Sequence, residues 1–241
     1  LIPRKITFSA YRQVLGGKEF LPALWVTVKV TVIGTFLQLV ATLLFAYPLS
    51  RTNLPGRKLI TKLVVFTMLF SAGMIPLYLV VKGTHLLNTL WSMIIPSLIN
   101  VYNLIIMKSF FEQVPSSLEE AAFIDGASNL RIFAQVYLPL SKPALATVGL
   151  FYAVNRWNSY FWAMNLLTSD SKLPLQVLLK KLIVDKVANE TEAAIVTASS
   201  TWSPTTVIYA IIIIAIVPML VAYPFIQKYF KTGLTIGANK G

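Results

Sequence analysis

The stretch WVTVKVTVIGTFLQLVATLLFAYPL, residues 25–49, decides the fold. A helix that crosses a bilayer needs about 20 predominantly apolar residues. This run meets that length with one charged residue inside it, Lys29. Four further stretches read the same way: 59–81, 90–111, 143–167 and 205–230. The short alternating strands of a membrane barrel are missing, so helices are the viable spanning structure. The expectation is an all-α integral membrane protein, a polytopic bundle of five transmembrane helices in one domain over 1–241.

Composition agrees. Of 241 residues, 56% are hydrophobic and 12% charged, about half the ~25% charged content of soluble domains. Mean hydropathy is +0.70. The net charge of +12 does not form a nucleic-acid patch, because Lys and Arg sit between and beside the apolar runs, where headgroups lie. The chain has no cysteine and one histidine, His85. That excludes disulfides, thiolate metal sites, cysteine nucleophiles and a multi-histidine centre. No catalytic and no metal residues are expected.

The connections carry the information. "RTNLPGRK", 51–58, is short and basic, and 82–88 is short. The 169–203 connection is long and contains "LPLQVLLKKLIVDKV", an amphipathic piece expected to lie on the membrane or to cover a cavity mouth. Pro76, Pro96, Pro218 and Pro224 fall inside spans, as packing irregularities or as hinges. Lys and Arg divide almost evenly between the two sides of a five-span chain, so the charge bias leaves its orientation nearly open.

The remaining connection, 112–142, holds SLEEAAFIDGASNLRIFAQVYLPL, residues 117–140. Ser117 suits an N-cap, with Glu120 three residues on as a capping box requires. Glu119 and Glu120 suit the positive end of the helix dipole. Ala121 and Ala122 permit close approach by a partner. Gly126, after Asp125, can take the left-handed conformation that ends a helix. A second helix is expected from about Ser128 to Leu138-Pro139. The result is a bracket of two short helices and a glycine elbow, readable as a docking surface or as a structural loop.

The spacing Glu120-Ala121-Ala122, Gly126, Val136, Leu138-Pro139 resembles the cytoplasmic "EAA" signature of ABC-importer permeases, with Val136 where the family usually has Ile. "LPLSKPALAT" (138–147) opens the next span as in binding-protein-dependent sugar importers. "NRWNSYFWA" (155–163) and "LPLQVLLKKL" (173–182) look like the branch handling uronate-containing oligosaccharides, including the alginate importer. "YFKTGLTIGANKG" (229–241) resembles the tail of maltose-type second permeases.

The resemblance implies a permease subunit in the bacterial cytoplasmic (inner) membrane. It implies a second permease, as a heterodimer, two ATPase subunits holding ATP and Mg, and an external substrate-binding protein. Ser117, Glu119, Glu120, Ala121, Ala122, Asp125, Gly126, Leu138 and Pro139 would form the ATPase-coupling region. Connection 112–142 and the C-terminus would be cytoplasmic, and 169–203 external. Such permeases commonly have six spans, so one is expected upstream of Leu1.

No phosphate-cradling GxxxxGK[ST] loop is present, so ATP hydrolysis is expected of a partner. A membrane-embedded enzyme would want intramembrane carboxylates, yet every Asp and Glu lies in a loop or at a segment end. A passive channel would not explain the bracket. An amino-acid or peptide permease is the rival within the class. For cargo, the fourth span offers Tyr152, Asn155, Arg156, Ser159 and Tyr160 on one helical face, flanked by Asn158. Arg156 can bind a carboxylate there, or pair with backbone carbonyls or the second permease. Because native Cys is absent, single cysteines at Ser128 and Ser171 test the topology. They should react with a membrane-impermeant maleimide from opposite sides; reaction from one side would end the five-span reading.

Overall fold

The computed structural model describes residues 8–70, 72–181, 183–184, 206 and 209–221. Among the described residues all regular structure is helical. A short α1 (Ser9–Leu15) leads into α2 (Phe20–Ser50), a 31-residue helix. Helices α3 (Arg57–Leu69), α4 (Met74–Gly83) and α5 (Trp91–Ile94) follow, with a 3₁₀ turn at Ile95–Ser97. Next come α6 (Val101–Glu112), α7 (Ser116–Ile124), α8 (Asn129–Ile132), a π turn (Phe133–Tyr137) and α9 (Leu138–Leu140). Helices α10 (Lys142–Trp157) and α11 (Tyr160–Leu166) precede α12, which covers 175–181, and α13 (Tyr209–Val221).

Helix α2 is the centre of the bundle. Its buried residues include Ala23, Thr27, Val30, Gly34, Gln38, Thr42 and Ala46, spaced three or four apart, so one stripe of mostly small side chains faces inward. Small residues let membrane helices approach closely. Helix α10 answers with Ala144, Val148, Tyr152 and Arg156 at four-residue steps. Residues Ala46, Leu49, Leu104, Met107, Phe111, Tyr137 and Val148 join α2, α6, α10 and the π turn in one core. Many large apolar side chains remain exposed, among them Leu21, Phe36, Leu44, Leu69, Ile75 and Leu220, as lipid or partner contact requires.

Several of the five expected spans are not single straight helices. Among the described residues one helix, Phe20–Ser50, is long and apolar enough to cross alone, and up to three spans result if each bent helix pair counts as one. The 59–81 stretch is divided before Gly73, whose φ of +83° suits glycine. The 90–111 stretch bends by 53°. There Pro96 sits in the 3₁₀ turn, and Asn100, in extended conformation, caps α6 by accepting from the Asn103 amide at 3.1 Å. The 143–167 stretch stops at Trp157 because two polar side chains take the last carbonyls. Asn158 Nδ2 donates to Val154 O at 2.9 Å and Ser159 Oγ to Arg156 O at 2.7 Å. Of 205–230 only residues 206 and 209–221 are described, and Pro224 lies outside them. So do the whole 185–203 segment and the 229–241 tail.

The described part of the amphipathic piece packs its apolar side on the bundle and lines a cavity, closer to the second of the two expectations. Leu175, Val177, Leu178 and Leu179 are buried, and the Leu175 amide donates to Thr27 Oγ1 of α2 at 2.7 Å. A cavity of about 890 Å³ separates α10, α12 and α13, lined by Val154, Trp157, Leu179, Ile211, Ala215 and Met219 among others.

Gly34 of α2 makes room for the Arg156 side chain of α10. A Cβ there would lie 3.3 Å from Arg156 Cδ. Gly34→Leu should therefore destabilise the folded protein by about 1–3 kcal/mol, lowering the melting temperature in detergent. Gly83→Ala, where nothing lies within 4 Å, is the control. Equal melting of the two variants would refute the tight-contact reading.

Candidate functional site

Two regions concentrate the polar chemistry. The first is the bracket after α6. Pro115, not Ser117, precedes the first turn of α7, and no side chain caps it; the expected Ser117–Glu120 capping box is absent. Proline there brings a fixed φ into the helix entrance, so the helix starts one residue early, at Ser116. The elbow follows the sequence. Gly126 has φ +74°. Its amide donates to Phe123 O at 3.0 Å and the Ala127 amide to Ala122 O at 2.9 Å, the paired bonds of a Schellman turn. Ser128 then caps α8, accepting from the Arg131 amide at 3.4 Å. The second helix does not stop at Leu138-Pro139 but runs on to Leu140, after a π turn at Phe133–Tyr137. Such a widened turn lets a helix absorb a break in its hydrogen-bond ladder.

Glu119 points inward, to partners the sequence did not suggest. Its carboxylate pairs with Arg51, the residue that ends α2, and accepts from Tyr137 Oη at 2.7 Å. Arg51 donates to the same Tyr137 hydroxyl at 2.8 Å. Its guanidinium also lies 5.4 Å from the Tyr47 ring centre and 5.5 Å from that of Tyr137, within cation–π range. Arg57 donates to Leu49 O at 2.8 Å and pairs with Glu112, which also receives Lys108 at 2.7 Å. The bracket is thus tied to the ends of α2 and α6. Outward it shows Ser117, Leu118, Glu120, Ala121, Ile124, Asp125 and Gly126, all exposed, with Ile124 at 87%. Ala122 packs on the core; Leu138 is half-buried and Pro139 exposed. A signal for Arg51 was available in hindsight: a basic residue at the end of an apolar span, opposite a carboxylate-rich insert.

The second region lies inside the bundle. Arg156 is 5% exposed. Its guanidinium donates to Met93 O, Ser97 Oγ and, at 3.4 Å, Ser97 O, and its Nε donates to Gln38 Oε1 at 3.1 Å. Gln38 Nε2 donates to Ser97 O at 2.6 Å. Arg156 therefore satisfies carbonyls that the α5–3₁₀ segment leaves open, and the one-face stripe expected of the fourth span does not form. Tyr152 and Asn155 line a cavity of about 300 Å³ with Gln38, Ser97, Asn100 and Asn103. Asn158 and Tyr160 line the larger apolar cavity instead. Ser159 is spent on the helix end. Tyr152 Oη shares a 2.7 Å hydrogen bond with Thr42 and accepts from the Asn100 amide at 3.1 Å. Asn100 and Asn103 had no signal in sequence, because only the break in the third stretch brings them beside α10. No group of residues among those described could hold a metal ion.

Burial pushes the Tyr137 phenol above its usual pKa, with Arg51 opposing. A phenol held neutral in the folded protein contributes stability below the unfolded value of ~10 that is lost as pH rises through the folded pKa. Tyr137→Phe should cost about 1 kcal/mol at pH 7 and shrink the difference in melting temperature between pH 9 and pH 11. An unchanged alkaline loss would assign that loss to other groups.

The sequence family described as the binding-protein-dependent transport system inner membrane component matches residues 20–236. The polygalacturonan/rhamnogalacturonan transport system permease protein YtcP of Bacillus subtilis (strain 168) is 46% identical over 241 residues, covering 100% of this chain and 84% of the relative. Protein LplC of the same organism is 44% identical over 242 residues, covering 100% and 81%. A chain in the crystal structure of a bacterial ABC transporter involved in the import of the acidic polysaccharide alginate superposes with a TM-score of 0.87. It is 44% identical, over 95% of this chain and 82% of that one. This chain belongs to the inner-membrane permease components of binding-protein-dependent ABC transport systems.

Proposed function

We propose that the chain forms, with a second permease, the alternating-access path of an ATP-driven importer for uronate-bearing oligo- or polysaccharides. An external binding protein delivers the cargo. Two partner ATPase subunits bind ATP and Mg and perform the hydrolysis, and the chain itself has no catalytic role. The cargo assignment is supported by what the relatives' names state: polygalacturonan and rhamnogalacturonan for one, acidic alginate for another.

The observation that carries the reading is the Arg51–Glu119–Tyr137 tie. It fastens α7, whose outer face is exposed, to the end of the longest membrane helix. A push on α7 from an ATPase is therefore handed to α2 through a charged, three-membered contact instead of being absorbed by a loose loop. In this reading the 112–142 connection and the C-terminus face the cytoplasm, and 169–203 faces outward.

The test uses the complete importer in proteoliposomes. Gly126→Val forces a β-branched residue into φ +74°, a strain of roughly 1–3 kcal/mol. Glu120→Arg puts a positive charge on the exposed face near the positive helix end. Both should lower substrate-stimulated uptake by roughly tenfold while the subunit still inserts, since each ~1.4 kcal/mol is a factor of ten. Uptake equal to wild type in both would overturn the coupling role.

A further inference from the structure

The cavity at the break in the third stretch carries more than its position. It lies about 14–18 Å along α6 from the Glu112 end, at 1.5 Å per residue, which is mid-membrane depth in the proposed topology with Glu112 at the cytoplasmic edge. Non-helical backbone is tolerated at that depth where it is buried in protein or lines a cavity. Four features converge on this one. Helix α6 begins here, and although Asn100 caps the Asn103 amide, the amides of Val101 and Tyr102 have no acceptor among the described residues, leaving two first-turn donors of a 12-residue helix free at its positive end. Asn103 is 5% exposed and lines the cavity, yet its side-chain amide has no partner among the described residues. Behind the wall, Arg156 is held by Gln38 and Ser97, both lining residues, and no Asp or Glu among the described residues pairs with it. At the mouth, Tyr102 and Phe151 are 56% and 40% exposed, with ring centres 6.4 Å apart.

A buried guanidinium hydrogen-bonded only to neutral groups keeps its full charge, and low surrounding polarity strengthens its field. The open helix end adds to that field. The cavity is therefore electropositive while offering only neutral groups for contact.

We infer that this cavity is a carboxylate-reading subsite for one sugar-acid unit of the moving chain. The carboxylate meets the first-turn amides of α6 and the Asn103 and Asn155 side chains. The ring lies against Tyr102 and Phe151, whose apolar faces suit a pyranose. Arg156 acts from behind, as a fixed charge. Neutral contacts under a positive field attract an acid without clamping it in a bidentate pair, which suits a site the cargo must also leave. At about 300 Å³ the cavity is at the small end of ligand sites, matching one unit and not an oligomer.

This rests on the saccharide reading above. The test compares uptake of oligogalacturonate with that of the same oligomer fully methyl-esterified, in the reconstituted importer. Asn155→Asp, at an exposed position, and Asn103→Asp, isosteric but buried, each place a carboxylate against the incoming one. The acid-to-ester uptake ratio should fall at least tenfold in both variants. Asn155→Leu should lower the ratio less than Asn155→Asp. A ratio unchanged in Asn155→Asp would overturn the subsite while leaving the importer assignment intact, and so would equal losses of both substrates. A wild-type importer that carries neither oligomer would overturn the cargo reading itself, and the subsite with it.

Discussion

Backbone polar groups inside a bilayer must find partners within the protein, and one arginine meets that requirement for a broken helix. The segment at Trp91–Ser97 ends short of α6, leaving carbonyls at Met93 and Ser97 without helical donors. Arg156 supplies them, and Gln38 of α2 supplies a further donor to Ser97. Without the break there would be no polar cavity. Without Arg156 the break would leave buried acceptors unpaired, each costing about 1–3 kcal/mol. The close approach at Gly34, the helix end at Trp157 and the cavity at Asn103 are arranged around this contact.

Helix α2 carries three polar ties along its length. Thr27 accepts from Leu175 of α12, Gln38 joins Ser97 and Arg156, and Arg51 joins Glu119 and Tyr137. The first and last are about 36 Å apart at 1.5 Å per residue. A helix held at both ends and its middle moves as a rod, and displacement at one tie reaches the others. In the proposed importer this is the physical route from the bracket to the cavity: ATPase motion at α7 reaches Arg51, and α2 delivers it to the residues that frame the cavity.

The two arginines are used differently. Arg51 has a carboxylate partner and aromatic faces at the end of α2, a charged contact that is largely shielded from solvent. Arg156 has neutral partners in the interior, and its charge is left to act on whatever enters beside it. The aromatic cluster of Tyr47, Phe111, Phe133 and Tyr137, with Tyr47 and Phe133 ring centres 4.9 Å apart, shields the first arginine and stiffens the junction of bracket and span.

Length and apolarity alone determined that this chain is a helical membrane protein, since a 25–49 run of such character has no soluble explanation. Local chemistry also determined the elbow: a glycine after Asp125 reads as a left-handed helix end, and Gly126 is one. Ordered spacing over 120–139 made the permease family legible before any coordinates. Tertiary structure decided the rest. Hydropathy windows average over Gly73, Asn100 and Asn158, so they report one span where a left-handed glycine or a side-chain hydrogen bond divides it. Periodicity put Arg156 and Tyr160 on one face because it assumes an unbroken helix. The partners of Glu119 and Arg156 lie 68 and 63 or more residues away or across a turn, at Arg51, Tyr137, Met93 and Gln38. No local pattern records which distant carbonyl or phenol a charged side chain will meet; only the packing of α2 against α6 and α10 sets it.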